Sequence, residues 1–140
     1  MRTRFVYLLS IAHRRVQSWM QAEHPDATAA QAGVLFVVGA KPGALVGDVA
    51  RGLSMGLPGA SGLVDRMVES RLIERRPDDR DGRSWRLFLT KSGEAMRVVA
   101  QAATAEINDR LVAGFTESEL DVVARWLSHV GNQFSKENRK

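Results

Sequence analysis

The 140-residue sequence contains no cysteine, which excludes disulfide stapling, thiolate catalysis, thiolate metal sites and cysteine-based redox sensing together. Aromatic residues make up only 6% and there are four prolines; no Ser/Gly/Pro-rich stretch divides the chain and no internal repeat is visible. Long apolar runs are missing too. The longest nearly unbroken one, Ala32 to Ala40, is about half of the roughly 20 residues a membrane-spanning helix needs. Arg2 and Arg4 precede Phe5 to Leu9, but Ser10, His13, Arg14 and Arg15 interrupt that run before a signal-peptide core develops. A soluble, cytoplasmic chain with no membrane partner is expected. Phosphate-loop, GxSxG and HExxH patterns are absent, and His13, His24 and His129 lack metal-ligand spacing, so neither an enzyme nor a metal or cofactor site is expected.

What remains is ordinary globular composition, 44% hydrophobic and 26% charged, at a length that suits one domain. The formal net charge is +4 with a sequence pI near 10.1, which points to an anionic partner, nucleic acid before an anionic membrane.

Apolar residues recur at steps of three and four through Phe5, Leu8, Leu9, Ala12, Val16, Trp19 and Met20, which predicts an amphipathic helix ended by His24-Pro25-Asp26. Thr28 with Gln31 fits a capping box opening a mostly buried helix over 29–39. Two short helices follow, 48–53 and 58–70, separated by a tight turn at Ser54 to Leu57. The pattern then changes to strands over 72–76 and 85–89, joined by a charged turn at 77–82. Thr90 can cap a long helix running to Gly114. Thr116 with Glu119 opens a terminal helix striped by Leu120, Val123, Trp126, Leu127, Val130 and Phe134, and the polar tail 135–140 is expected to fray.

Two helices, a helix-turn-helix, a hairpin and two more helices make a mainly α fold with a small β-hairpin wing. The expected segments are an N-terminal dimerisation helix over 1–27, a winged helix-turn-helix over 28–96 and C-terminal dimerisation helices over 97–140, within one compact chain. The amphipathic terminal helices are not needed to bury the central domain, so a second copy is the economical cover for their stripes, which makes a homodimer.

A helix-turn-helix alone is common in all-α domains. The hairpin adds weight, because residues 71–86 contain Arg71, Arg75, Arg76, Arg80, Arg83 and Arg86, suited to phosphates and a narrow minor groove. The other explanation is a solvated charged turn, since Asp78, Asp79 and Asp81 share the loop. Between Arg66 and Lys91 there are eight basic residues against five acidic ones, so the modest net charge is concentrated on this segment.

The sequence resembles the multiple-antibiotic-resistance regulators, the MarR-type winged-helix repressors, over about residues 28–96. The pieces that carry the resemblance are Thr28-Ala-Ala-Gln31, Val49-Ala50-Arg51-Gly52-Leu53, Val64-Asp65-Arg66-Met67-Val68-Glu69, Leu72-Ile73-Glu74-Arg75, Asp81-Gly82-Arg83 and Leu89-Thr90-Lys91-Ser92-Gly93. It implies a dimer built on the first, fifth and sixth helices, binding double-stranded DNA at a palindromic operator. It also implies that Arg83 enters the minor groove, oriented by Asp81. Ser61, Arg66 and Asp65 would face the major groove and backbone, and Arg51 and Ser54 would hold phosphates. Arg80 and Arg86 complete the candidate DNA-binding set. Arg51, Arg66 and Arg86 also fit ordinary surface charge.

The sequence departs from the family pattern at Gly56-Leu57-Pro58-Gly59-Ala60-Ser61-Gly62, where polar and basic side chains are usual, and at Arg71, which replaces a turn glycine and implies a different helix end. The resemblance further implies a small aromatic or phenolic effector. His13, Gln17, Trp19 and Met20 on the first helix could line its cleft; plain helix surface and dimer core is the other explanation. Two functions are therefore carried forward. One is a ligand-responsive, homodimeric DNA-binding regulator, as a repressor; the other is a winged-helix interaction module that has lost base reading.

Overall fold

The protein is described here by a computed structural model covering residues 3–25 and 27–135. Among them, helix α1 (Phe5–Glu23) follows its apolar periodicity to the residue before His24, which leaves the helical region (φ −131°, ψ 68°) because Pro25 disfavours a helical predecessor. Helix α2 (Ala29–Ala40) opens with the expected capping box: the Gln31 N–H donates to Thr28 Oγ1 at 3.1 Å and the Thr28 N–H to Gln31 Oε1 at 3.1 Å. It carries no charged residue and buries Val34, Leu35 and Val38 completely.

Helix α3 (Val46–Gly52) begins two residues before the expected Asp48. The reason is Asp48 itself. As third helical residue it accepts the Leu45 N–H at 2.8 Å, so its carboxylate closes the helix start from inside. Helix α4 (Leu57–Glu69) places Pro58 in its first turn, where a missing N–H costs nothing.

Both α3 and α4 end in the same closure. Met55 N–H donates to Ala50 O (2.9 Å) and Ser54 N–H to Arg51 O (3.2 Å); Leu72 N–H donates to Met67 O (2.9 Å) and Arg71 N–H to Val68 O (3.0 Å). These are Schellman turns whose left-handed residue is usually glycine. Here it is Ser54 (φ +51°) and Arg71 (φ +60°). The expectation of a different helix end at Arg71 is therefore corrected: the glycine-type closure is kept, with an arginine bearing its strain, because the two hydrogen bonds and buried Leu72 fix the backbone there.

Strands β1 (Ile73–Pro77) and β2 (Trp85–Leu89) pair antiparallel from Ile73 opposite Leu89 to Pro77 opposite Trp85. Ala44 adds a bridge to Leu87, and Gly43, at φ +85°, makes the turn that lets its N–H reach Leu87 O at 2.8 Å. The α2–α3 loop is thus fastened to the wing. Thr90 caps the next helix, α5 (Lys91–Val112), accepting the Gly93 N–H (3.0 Å) and donating to Arg71 O (2.6 Å). A Cβ at Gly93 would lie 2.0 Å from Leu72 O, so only glycine allows this approach. The core joins Val34, Leu35 and Val38 of α2 with Val49, Ala60, Leu63, Val64, Met67, Ile73 and Leu87.

The chain forms two units, one up to Gln101 and one from Ala102. In the second, α5 ends before Gly114 (φ +88°) and α6 (Glu117–Gln133) opens with the Thr116–Glu119 capping box. None of its described residues is fully buried, and Leu111, Val112, Phe115, Val122, Val123, Leu127 and Phe134 are exposed. The tail beyond Ser135 lies outside the described residues.

Candidate nucleic-acid interface

The helix pair α3–α4 and the hairpin stand on one core, and their arginines divide into anchored and unanchored groups. Arg51 is exposed and pairs with Asp48. Asp48 also binds Lys41 Nζ at 3.1 Å, and the Leu45 N–H with the Lys41 and Arg51 cations lowers its pKa to about 2. Ser54 is exposed in the turn, Ser61 is half-buried on α4, and Arg66 is exposed. Arg75 Nη2 of β1 donates to Asp65 Oδ1 of α4, tying the wing to the second helix of the pair.

The wing tip is ordered by its acids. Asp78 N–H donates to Ser84 O (2.9 Å) and Asp78 Oδ1 accepts the Arg80 N–H (3.0 Å). Asp81 accepts the Arg83 N–H at 3.0 Å through Oδ1 and the Ser84 hydroxyl at 3.1 Å through Oδ2. Asp81 therefore fixes Arg83 through its backbone, leaving the guanidinium outside the turn. Among the described residues nothing pairs with the side chains of Arg66, Arg80 or Arg83.

Arg86 is placed differently. Its guanidinium donates to Asp78 Oδ2 (2.9 Å) and Gly43 O (3.0 Å), so it straps the wing base to the α2–α3 loop. The Arg80 N–H and then Arg86 hold the Asp78 carboxyl below its ordinary pKa. Arg76 lies 4.2 Å over the Phe88 ring. Cavities of about 570 Å³ (Leu45, Val46, Arg75, Ser84, Trp85) and 590 Å³ (Pro42, Gly43, Arg76, Asp78, Arg86, Phe88 among others) flank the hairpin.

The four effector candidates share α1 but line neither cavity. His13 and Gln17 are exposed, Trp19 and Met20 half-buried. Trp19 meets His24 edge-on at 6.5 Å between ring centroids, and His24 Nε2 is buried without a hydrogen-bond partner among the described residues. Sequence reasoning took His24 only as part of a helix stop and missed its contact with Trp19 and the Asp65–Arg75 tie; ten residues and a change of element separate the latter pair, and no periodic signal links them. No three His, Asp or Glu side chains converge as metal ligands among the described residues, and no helix is long and apolar enough to cross a membrane.

Residues 26–84, which hold the helix pair and most of the hairpin, match the sequence model of the MarR family. Over that segment the chain is similar to the MarR family. No curated protein matches it in sequence. Among solved structures, the MarR-type fold is shared with the transcriptional regulator SlyA (20% identity, TM-score 0.88, covering 96% of each chain). It is shared too with MepR of S. aureus in complex with DNA (23% identity, TM-score 0.85, 95% of this chain and 100% of that one). PcaV of Streptomyces coelicolor, in complex with its natural ligand, is similar at 23% identity and a TM-score of 0.80, over 91% of this chain and 89% of that one. At these identities the likeness is one of fold, and it embraces the mainly α architecture with its hairpin wing.

Proposed function

We propose that this MarR-type chain is a non-enzymatic, sequence-specific regulator that binds double-stranded DNA as a homodimer, acting as a repressor released by a small aromatic or phenolic ligand in the cytoplasm. The observation that carries the reading is the wing tip: Asp81 holds the backbone of Arg83 while its guanidinium stays unpaired beside an α3–α4 pair with an equally unpaired Arg66. An arginine kept free at the end of a rigid hairpin suits phosphates or the minor groove. Arg80, Ser61, Ser54 and Arg51 supply further polar contacts to the duplex, and Arg86 acts from behind by fixing the wing base.

Dimerisation rests on the uncovered apolar side chains of α6 and on Phe5, Val6, Tyr7 and Leu8 of α1, all more than half exposed except on parts of α6. In this reading residues 1–27 and 97–140 are dimerisation segments around the winged helix at 28–96. A two-fold pair sets half-sites about one helical turn, roughly 10 bp, apart. The DNA-bound MepR and ligand-bound PcaV support the two halves of the reading by analogy of fold.

The test is titration of purified full-length protein against duplex DNA from upstream of its own gene, with sedimentation to give the mass. Tight binding by a dimer at palindromic sites supports the reading. Equal, weak binding to that DNA and to random duplex would return the chain to a protein-interaction module.

A further inference from the structure

Leu57 opens α4 and remains 56% exposed, although the helix buries Leu63, Val64 and Met67 and packs Val68 partly against the core. The fold has no use for it. Met55, just before the cap, already packs on the core and anchors the helix entry. Pro58, exposed beside it, offers an apolar ring and no N–H. Gly59 and Gly62 add no side chain, yet neither has a positive φ, and a Cβ at either would meet only a flexible side-chain end, Met55 Cε at 3.4 Å or Arg66 Nη1 at 3.7 Å. The first turns of α4 therefore project a leucine and a proline, and half-buried Ser61 is the first residue of the helix with a polar side chain.

Cations accompany this apolar tip: Arg51 on the preceding helix and Arg66 further along α4, both exposed. Two apolar side chains are far too little for a stable protein interface, which buries at least about 1,200 Å². A polyanion that displays small apolar groups between its charges fits both features. In the major groove of B-DNA, the apolar groups on the base edges are the C5-methyls of thymine.

We propose that Leu57, supported by Pro58, is a specificity-determining residue that selects thymine through its C5-methyl group. The proposal rests on the DNA-binding reading above. It replaces the missing base-edge donors of α4 with an apolar contact, so that part of the sequence choice comes from shape and methyl burial.

The probe is the duplex that the purified full-length chain enriches from a randomised library, with each thymine replaced singly by deoxyuridine, which removes only the methyl. At about one or two positions per half-site the replacement weakens binding about fourfold, the worth of one buried methyl-sized group. Leu57→Ala, which removes the contact in both half-sites of the dimer, weakens binding to the thymine duplex by about fifteenfold or more, binds the thymine and uracil forms equally at those positions, and keeps the wild-type melting temperature. Equal binding of thymine and uracil forms at every position by the wild type overturns the proposal, as does a uracil effect that persists undiminished in Leu57→Ala. If no duplex is enriched, the DNA-binding reading fails and the methyl contact with it.

Discussion

The Asp65 carboxylate on α4 accepts a hydrogen bond from the Arg75 guanidinium on β1, so the helix proposed to enter the groove is tied to the wing by one charged pair. Asp65 is 61% exposed, and such a pair adds under about 1 kcal/mol to stability. Its effect on binding is larger in the proposed interface, because Arg75 neutralises a carboxylate that would otherwise face phosphates.

Arg75→Ala should therefore weaken DNA binding about tenfold with little change in melting temperature, while the double variant Asp65→Ala/Arg75→Ala recovers part of the loss. The measurement is a double-mutant cycle on DNA affinity. Additive losses would show that the two side chains act independently.

Arg83 and Arg86, three residues apart, should behave as opposites. Arg83→Ala leaves stability unchanged and weakens binding strongly. Arg86→Ala leaves Asp78 Oδ2 and the Gly43 carbonyl without the Arg86 donor, costs about 1 kcal/mol and lowers the melting temperature by about 3 °C. Thermal melts beside binding titrations separate them; a melting loss at Arg83 or none at Arg86 contradicts the assignment.

Arg71 sits in a left-handed conformation that costs a non-glycine residue about 1–2 kcal/mol. Arg71→Gly relieves the strain but loosens the unfolded chain, for a net gain of about 1 kcal/mol in denaturant unfolding. A loss of stability would mean that the arginine side chain supplies a compensating contact.

Asp48 makes the α3 start acid-sensitive. Its folded pKa, about 2, lies below its unfolded value of about 3.9, so it stabilises the fold fully above the unfolded value and loses this as pH falls towards 2. Asp48→Asn should be less stable than the wild type at pH 7, with the gap closing between about pH 4 and pH 2. A gap constant across that window would assign the effect to shape alone.

These cases show what the sequence could and could not disclose. Apolar periodicity and the Thr28 and Thr116 capping boxes placed α1, α2 and α6 because those signals are local. Asp48 was taken for a helix start when it is the residue that closes the start from within, a distinction set by one backbone hydrogen bond. Arg83 and Arg86 look alike in sequence; they part only because Asp78 and Gly43, the latter 43 positions away, reach Arg86 in the folded chain. Leu57 read as the last residue of the turn from Ser54, and its exposure at the start of α4 emerged once Met55, Leu63 and Val64 had taken the core.

The most direct measurement of DNA binding by this chain is the slope of log affinity against log salt for the full-length protein and Arg83→Ala on the upstream duplex. A steep negative slope is expected for the wild type, falling by about two units in the variant as one phosphate contact per protomer of the dimer is lost, together with a large drop in affinity. A flat slope, or the same slope and affinity for both proteins, would contradict the role given to the wing.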